Sequence, residues 1–215
     1  LKAMQAMDRA EIVVLVIDAQ AGVSEQDARL AGHVIEAGRA LVLALNKWDR
    51  LDDQGREQCL KAMEERMPFA LFAPVVVLSA LHGSGLGELT DALHHVHGLA
   101  CQELSTPKLT QVLRRAVEAH PPGGGERFRP KLRYAHMGGL FPTRVVIHGS
   151  RTDSLKAPYK RYLINQFKRA FDLTGVPVGL RFKESVNPYA GRKNTLTPRQ
   201  VQKRRRTKQL RRRSK

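Results

Sequence analysis

Only two cysteines, Cys59 and Cys101, occur in 215 residues. That is too few for the disulfide framework of a small secreted domain, so a reducing cytoplasm is the expected compartment. The longest uncharged apolar runs are strand-sized, far short of the roughly 18 to 20 residues that cross a bilayer, so a soluble chain with no membrane partner is expected. No G-x-x-x-x-G-K-[ST] occurs. The chain therefore lacks the loop whose backbone N–H groups cradle phosphates and whose hydroxyl holds magnesium. The D-x-x-G element that senses a γ-phosphate does not follow the first strand either, because Asp18 and Gly22 are one residue too far apart. No G-x-x-G occurs, and the last 25 residues contain no Asp or Glu.

Charge is abundant and unevenly placed. Residues 1–100 carry 9 Lys and Arg against 14 Asp and Glu, a net −5, whereas residues 101–190 carry 16 against 6, a net +10. Residues 191–215 add 12 Lys and Arg, and the whole chain reaches +17. An acidic module joined to a basic one with a cationic tail favours a polyanionic partner, nucleic acid first and an anionic membrane surface second.

The first hundred residues alternate two periods. Residues 12–17 and 40–45 are continuous apolar runs, as expected of parallel strands buried on both faces, and 74–78 is a third. Ser24 with Asp27 spells a capping box, and the helix it opens, 25–37, should stop at Gly38. Further helices are expected at 54–67, closed by Pro68, and at 86–97. The order βαβαβα implies a parallel sheet covered on both faces. Thr106 as N-cap before Pro107 opens a second module, with Leu109, Val112, Leu113, Ala116 and Val117 at helical spacing. Strands at 131–137 and 143–148 should form a hairpin across Gly138 and Gly139. A helix over 155–173, ended by Gly175, would bury Leu155, Tyr159, Tyr162, Leu163, Phe167, Ala170 and Phe171. Residues 178, 180 and 182 then alternate as a half-buried strand.

In an open parallel sheet, ligands bind beyond the carboxyl ends of the strands. After the second strand comes Asn46-Lys47-Trp48-Asp49, and after the third Ser79-Ala80. Guanine presents adjacent N–H and NH2 donors, which an ionised carboxylate such as Asp49 can take together. Asn46 can tie its loop to neighbouring backbone, the stem of Lys47 can lie on the ring, and the Ala80 N–H can donate to O6. By itself N-K-x-D could be a post-strand turn. Paired with Ser79-Ala80 it resembles the base-recognition motifs of P-loop GTPases.

Asp18-Ala-Gln-Ala-Gly22, Glu25-Gln26-Asp27, the Trp48 within the motif and Asn187-Pro-Tyr189 narrow the resemblance. Over about residues 1–189 the chain resembles the Der (EngA) family of ribosome-assembly GTPases. The resemblance implies an α/β fold: a partial P-loop NTPase-type parallel sheet over 1–100, an α+β KH-like domain over 101–190, and a basic tail over 191–215. It implies a guanine site of Asn46, Lys47, Trp48, Asp49, Ser79 and Ala80, with GTP or GDP as ligand and Mg2+ in the full-length protein only. The full-length protein would hydrolyse GTP in assembly of the large ribosomal subunit. Its partners would be that subunit, rRNA and an upstream GTPase domain of the same chain, with DNA not expected. Leu1 is not an initiator methionine, so the chain is expected to begin inside a longer protein. With both phosphate motifs missing, no catalytic residue and no metal ligand is assigned, and hydrolysis by these residues alone is not expected.

Without a G-x-x-G loop, shape and phosphate recognition of rRNA is favoured over base reading. The candidates are Lys156, Lys160, Arg161, Lys168 and Arg169 on the polar face of the 155–173 helix, supplemented by Arg127, Arg129, Lys131 and Arg133. Arg204, Arg205 and Arg206 in the tail would add salt-dependent phosphate contacts. The competing reading of these charges is a solvated surface. His94 and His97 share a helix face but lack a third ligand. Both cysteines read as packing residues, Met4 and Met7 as packing a first helix, and the glycines at 83, 85 and 87 as a turn beside the base loops. The alternative function is a non-catalytic RNA-binding module on an α/β scaffold.

Overall fold

A computed structural model describes residues 6–7, 9–124, 129–184 and 202. Its first sheet contains β1 (Ile12–Asp18), β2 (Ala40–Asn46) and β3 (Val75–Val77), all parallel in the order β1-β2-β3. Helices α1 (Glu25–Glu36), α2 (Asp53–Arg66) and α3 (Leu86–Ala100) connect and follow these strands. Strand alternation sorts the side chains of the central strand into two layers. Leu41, Leu43 and Leu45 join Ala31 and Val34 of α1 and Cys59 and Met63 of α2 in one cluster, which Met7 also touches. Ala40 and Val42 point the other way, into a cluster with Val96 and Ala100 of α3. A fully buried side chain of Leu size is worth roughly 1.5 to 3 kcal/mol, so β2, buried from Ala40 to Leu45, anchors the sheet.

The capping box opens α1 as the sequence dictates. Ser24 Oγ accepts from the Asp27 N–H, and Asp27 accepts from the Ser24 N–H at 2.8 Å. Gly38, at φ +71°, turns the chain out of the helix. Helix α3 runs to Ala100, beyond the expected end at residue 97.

The second sheet is β4 (Lys131–Gly139), β5 (Arg144–Ser150) and β6 (Gly179–Glu184), with β5 central, antiparallel to β4 and parallel to β6. Helices α4 (Thr106–Ala119) and α5 (Ala157–Phe171) pack on one face of it through Leu109, Leu113, Leu163, Phe167 and Phe171. The boundaries of both helices differ from the sequence reading. Ser105, not Thr106, is the N-cap of α4, and its side chain makes no capping bond, so Pro107 stands one position further in. Helix α5 ends at Asp172, in the left-handed region at φ +50°, a conformation that Asp tolerates better than most residues. Gly175 lies beyond that end and has a different task.

That task is to join the two sheets. Gly175 N–H donates to Phe72 O at 2.7 Å, and Gly175 O accepts from the Leu41 N–H at 2.8 Å. A Cβ on Gly175 would meet Val96 Cγ2 at 2.7 Å and Leu41 O at 3.1 Å. Nearby, Lys168 Nζ rests 3.3 Å from the centroid of Phe72. At a second contact the hairpin tip meets the end of α1, where a Cβ on Gly38 would overlap Pro142 Cβ at 2.2 Å. Ala40, Val42, Val76, Val96 and Ala100 from the first sheet's layers share one buried cluster with Leu163, Phe167, Leu173 and Val176. Residues 1–184 accordingly form one compact unit.

Candidate functional site

Strand register places Asp18, the last residue of β1, beside Asn46, the last residue of β2. The loops after β1 and β2 therefore begin side by side, and the pairing of Leu45 with Val77 brings the loop after β3 beside them. Asn46 binds the last two together: its Oδ1 accepts from the Lys47 N–H at 2.8 Å and from the Ala80 N–H at 2.9 Å. One short amide at a strand end thus fixes both loops that the sequence singles out. The Ala80 N–H is engaged by this bond, so a base oxygen at that position would have to share it. Replacing Asn46 with Ala leaves the Lys47 and Ala80 N–H groups without their acceptor, and the expected loss is about 1 to 2 kcal/mol. A urea midpoint equal to that of the parent would show that the tie does not hold the loops.

Lys47 sits in the left-handed region at φ +63°. Its stem crosses to the end of β1, where Nζ pairs with Asp18 Oδ2 at 2.5 Å. Asp18 also receives the N–H groups of Gln20 and Ala21 at 3.0 and 3.3 Å, so it is the turn residue that the sequence indicates and an ion-pair partner as well. The Lys47 ammonium holds its carboxyl below the usual carboxylate range, and the turn N–H groups add to this. Trp48 donates its N–H to Leu78 O at 3.2 Å and packs against the α1–α2 cluster, with the Arg56 guanidinium 5.9 Å from its ring centroid.

Asp49 and Trp48 line one part of a groove of about 450 Å3 that runs along β3 and is also lined by Leu78, Ser84, Gly85 and Glu88. The neighbouring Ser79 hydroxyl is the largest cause that holds the Asp49 pKa below the ordinary value, and His82 adds to this with Nε2 3.6 Å from Oδ2. An ionised Asp49 is an acceptor on both oxygens, which paired N–H donors on a planar base require. Ser79 is itself buried, and its N–H donates to Ser84 O at 3.0 Å, closing a tight loop before α3. Sequence reasoning missed His82 and the Lys47–Asp18 pair. The first stands three residues after Ser79; the second follows only from the strand register.

Two strings spell D-x-x-G away from the first strand, and neither senses phosphate here. Asp52 is the N-cap of α2 and accepts from the Gly55 N–H at 2.8 Å, while Asp172 to Gly175 is the turn after α5.

On α5 the expected cationic residues divide. Lys156, Arg161 and Arg169 are exposed, and Lys160 is half-buried with Nζ 5.5 Å from the Phe182 ring centroid. Lys168 departs from the sequence reading. It is half-buried with Nζ over the Phe72 ring, and burial lowers its pKa to about 8, so it is less available to a polyanion than its place on the polar face suggests. Arg129, Lys131 and Arg133 are exposed, whereas Arg127, Asn187 to Tyr189, Arg204, Arg205, Arg206 and Met4 lie outside the described residues. Cys59 is buried and Cys101 exposed, against the expectation that both pack. Cys101 Sγ lies 3.6 Å from His97 Nε2, and His97 pairs with Glu11 at 3.4 Å. Among the described residues no group of three His, Cys, Asp or Glu could hold a metal ion, and no helix is long and apolar enough to cross a membrane.

Comparison with known proteins agrees with this geometry. Residues 2–97 match the family described as the elongation factor Tu GTP binding domain, and residues 103–183 match the KH-domain-like region of EngA bacterial GTPase enzymes, C-terminal. GTPase Der of Methylococcus capsulatus is 47% identical over 206 residues, covering 96% of this chain and 44% of the relative. GTPase Der of Thioalkalivibrio sulfidiphilus is 48% identical over 205 residues, covering 95% and 44%. The chain thus spans under half the length of the curated relatives it matches. Among solved structures, Era in complex with MgGDPNP and nucleotides 1506–1542 of 16S ribosomal RNA covers 93% of this chain and 72% of its own, at 16% identity. Its TM-score of 0.39 is too low for any argument about fold or site. Over the part of its relatives that it spans, with the two base loops in register at the strand ends, the chain belongs to the Der (EngA) family of GTPases.

Proposed function

We propose that this chain supplies the guanine-recognition half of a GTP site and the rRNA-binding part of a GTPase that acts in assembly of the large ribosomal subunit. The observation that carries the reading is the Asn46 tie, which sets the Asp49 carboxylate and the Ser79-Ala80 loop on one site at the ends of adjacent strands. Asp49 would take the two adjacent guanine donors, the Lys47 stem would cover one ring face, and the Ala80 N–H would be shared between Asn46 and the base O6. Residues 1–100 are the base-binding portion of a G domain, residues 101–190 the KH-like domain, and residues 191–215 a basic tail. The exposed charges of α5 contribute phosphate contacts. GTP or GDP fits the donor and acceptor pattern of the loops. No residue of this chain is assigned to Mg2+, which a segment bearing the phosphate-cradling loop would hold in the full-length protein.

Hydrolysis needs that loop, because phosphoryl transfer depends on positioning and charge stabilisation around the phosphates. Residues 1–215 alone are therefore expected to release no inorganic phosphate from GTP above the uncatalysed rate. The full-length protein is expected to turn GTP over and to prefer guanine over adenine nucleotides in competition. Turnover by the 215 residues alone, or equal competition by ATP in the full-length protein, would overturn the reading.

A further inference from the structure

Helices α4 and α5 cover one face of the second sheet, and the opposite face has a composition of its own. Alternation along β6 sends Leu180 and Phe182 toward the helices and leaves Arg181 and Lys183 exposed on the other side. Register sets Tyr134, His148 and Lys183 in one row across the three strands, and His136, Val146 and Arg181 in the next. Tyr134 and His148 stack with centroids 4.3 Å apart and planes 9° from parallel, and His136 lies 5.2 Å from His148. Tyr134 remains 43% exposed, so its ring is open to an additional partner. Arg144, also exposed, follows the same alternation on β5.

The hydrogen bonds fix the imidazole tautomers. His136 Nδ1 lies 2.8 Å from Met137 O and must donate to it. Its Nε2 is then an acceptor when the ring is neutral, so the Nε2–H of His148, 3.1 Å away, is the donor of that pair. A cluster of three rings results, with Tyr134 stacked on His148 and His136 tilted 36° from it, and Arg144, Arg181 and Lys183 supply positive charge beside it. Flat rings beside cations are what unpaired bases on a phosphate backbone require; paired bases offer no free ring faces. Other occupants fit worse. A second copy would set cation against cation, the acid-free tail is equally repelled, and the only aliphatic residue of these two rows, Val146, is already buried.

We infer that this sheet face, opposite the helices and built on Tyr134, His136 and His148 with Arg181 and Lys183 beside them, is a stacking surface for single-stranded RNA, separate from the cationic face of α5. The inference rests on the RNA-binding reading above and assigns that binding a place and a strand state.

The test uses the full 215-residue chain, a fluorescein-labelled single-stranded RNA and a labelled RNA duplex, read by anisotropy across a salt series. Tyr134→Ala is expected to weaken single-strand binding about tenfold, the scale of one lost base stack, without changing the salt slope or duplex binding. Tyr134→Phe should restore affinity. Lys183→Gln should flatten the single-strand slope of log K against log salt by about 0.7, the value for one phosphate contact. If these variants bind like the parent while Lys156→Gln with Arg161→Gln loses affinity, the surface is α5; this inference is then overturned and RNA binding stands. No binding of either RNA by the parent overturns the RNA reading itself. A parent that sediments as a dimer, with Tyr134→Ala a monomer, would make the face a self-interface and also overturn the inference.

Discussion

Asn in place of Asp49 is expected to move nucleotide preference from guanine to xanthine in the full-length protein. Guanine offers N1–H and the exocyclic amine as neighbouring donors, and in the proposed site the ionised Asp49 would accept both. Xanthine keeps N1–H but presents a carbonyl where guanine has the amine, so it meets a carboxylate with acceptor against acceptor. An Asn amide reverses the second contact, with Oδ1 still accepting from N1–H and Nδ2 donating to the new carbonyl. A site that leaves buried polar groups unpaired rejects the wrong ligand by roughly 10⁴ to 10⁵, so the ratio of GDP to XDP affinities should change on that order. The loops are held by Asn46 and by the Ser79 N–H bond to Ser84 O, neither of which involves the Asp49 carboxylate, so the loop itself is not expected to collapse. Competition of GDP and XDP against one fluorescent nucleotide, before and after the substitution, reads the ratio directly. An unchanged ratio would remove Asp49 from base recognition.

Gly85→Ala is expected to destabilise the fold by about 2 to 5 kcal/mol. The residue stands before α3 at φ +80°, where a side chain costs roughly 1 to 2 kcal/mol. It also abuts the end of β3: a Cβ would lie 2.2 Å from Val77 O and 2.8 Å from Leu78 Cα. Forcing the two apart adds about 1 to 3 kcal/mol and pushes on the strand that carries Ser79. Gly83→Ala isolates the first contribution. Its φ is +74°, but nothing lies within 4 Å of its Cβ position, so only the conformational cost should appear. Urea denaturation of the two variants compares them; equal losses would exclude the crowding at Val77.

How far these positions could be read from residues alone depended on what fixes them. Continuous β-branched runs at 12–17 and 40–45 marked both strands because a strand buried on two faces has no room for alternation. Asn46 was legible because a short amide just after a buried strand has few backbone groups within reach. The Lys47–Asp18 pair was not legible, since its partners are brought together only by the in-register pairing of β1 with β2. Lys168 misled for a related reason. Helical spacing assigns a residue to a polar face but is blind to what the rest of the chain stacks there, and here it is Phe72. The histidines at 136 and 148 went unnoticed because a bulge between Leu132 and Tyr134 shifts the β4 register, so simple alternation does not bring them into line.

The Gly175 contact also orders events in time. During synthesis the N-terminal portion leaves the ribosome first, and the βαβ layers around Leu41, Leu43 and Leu45 can form from segments close in sequence. Val96, Ala100 and their neighbours cannot be buried then, because Leu163, Phe167 and Val176, which complete that cluster, have yet to be made. The Leu41 N–H likewise waits for the Gly175 carbonyl. The nascent first sheet is thus expected to expose the apolar flank around Val96 and Ala100 until Leu163, Phe167 and Val176 have emerged to complete its cluster.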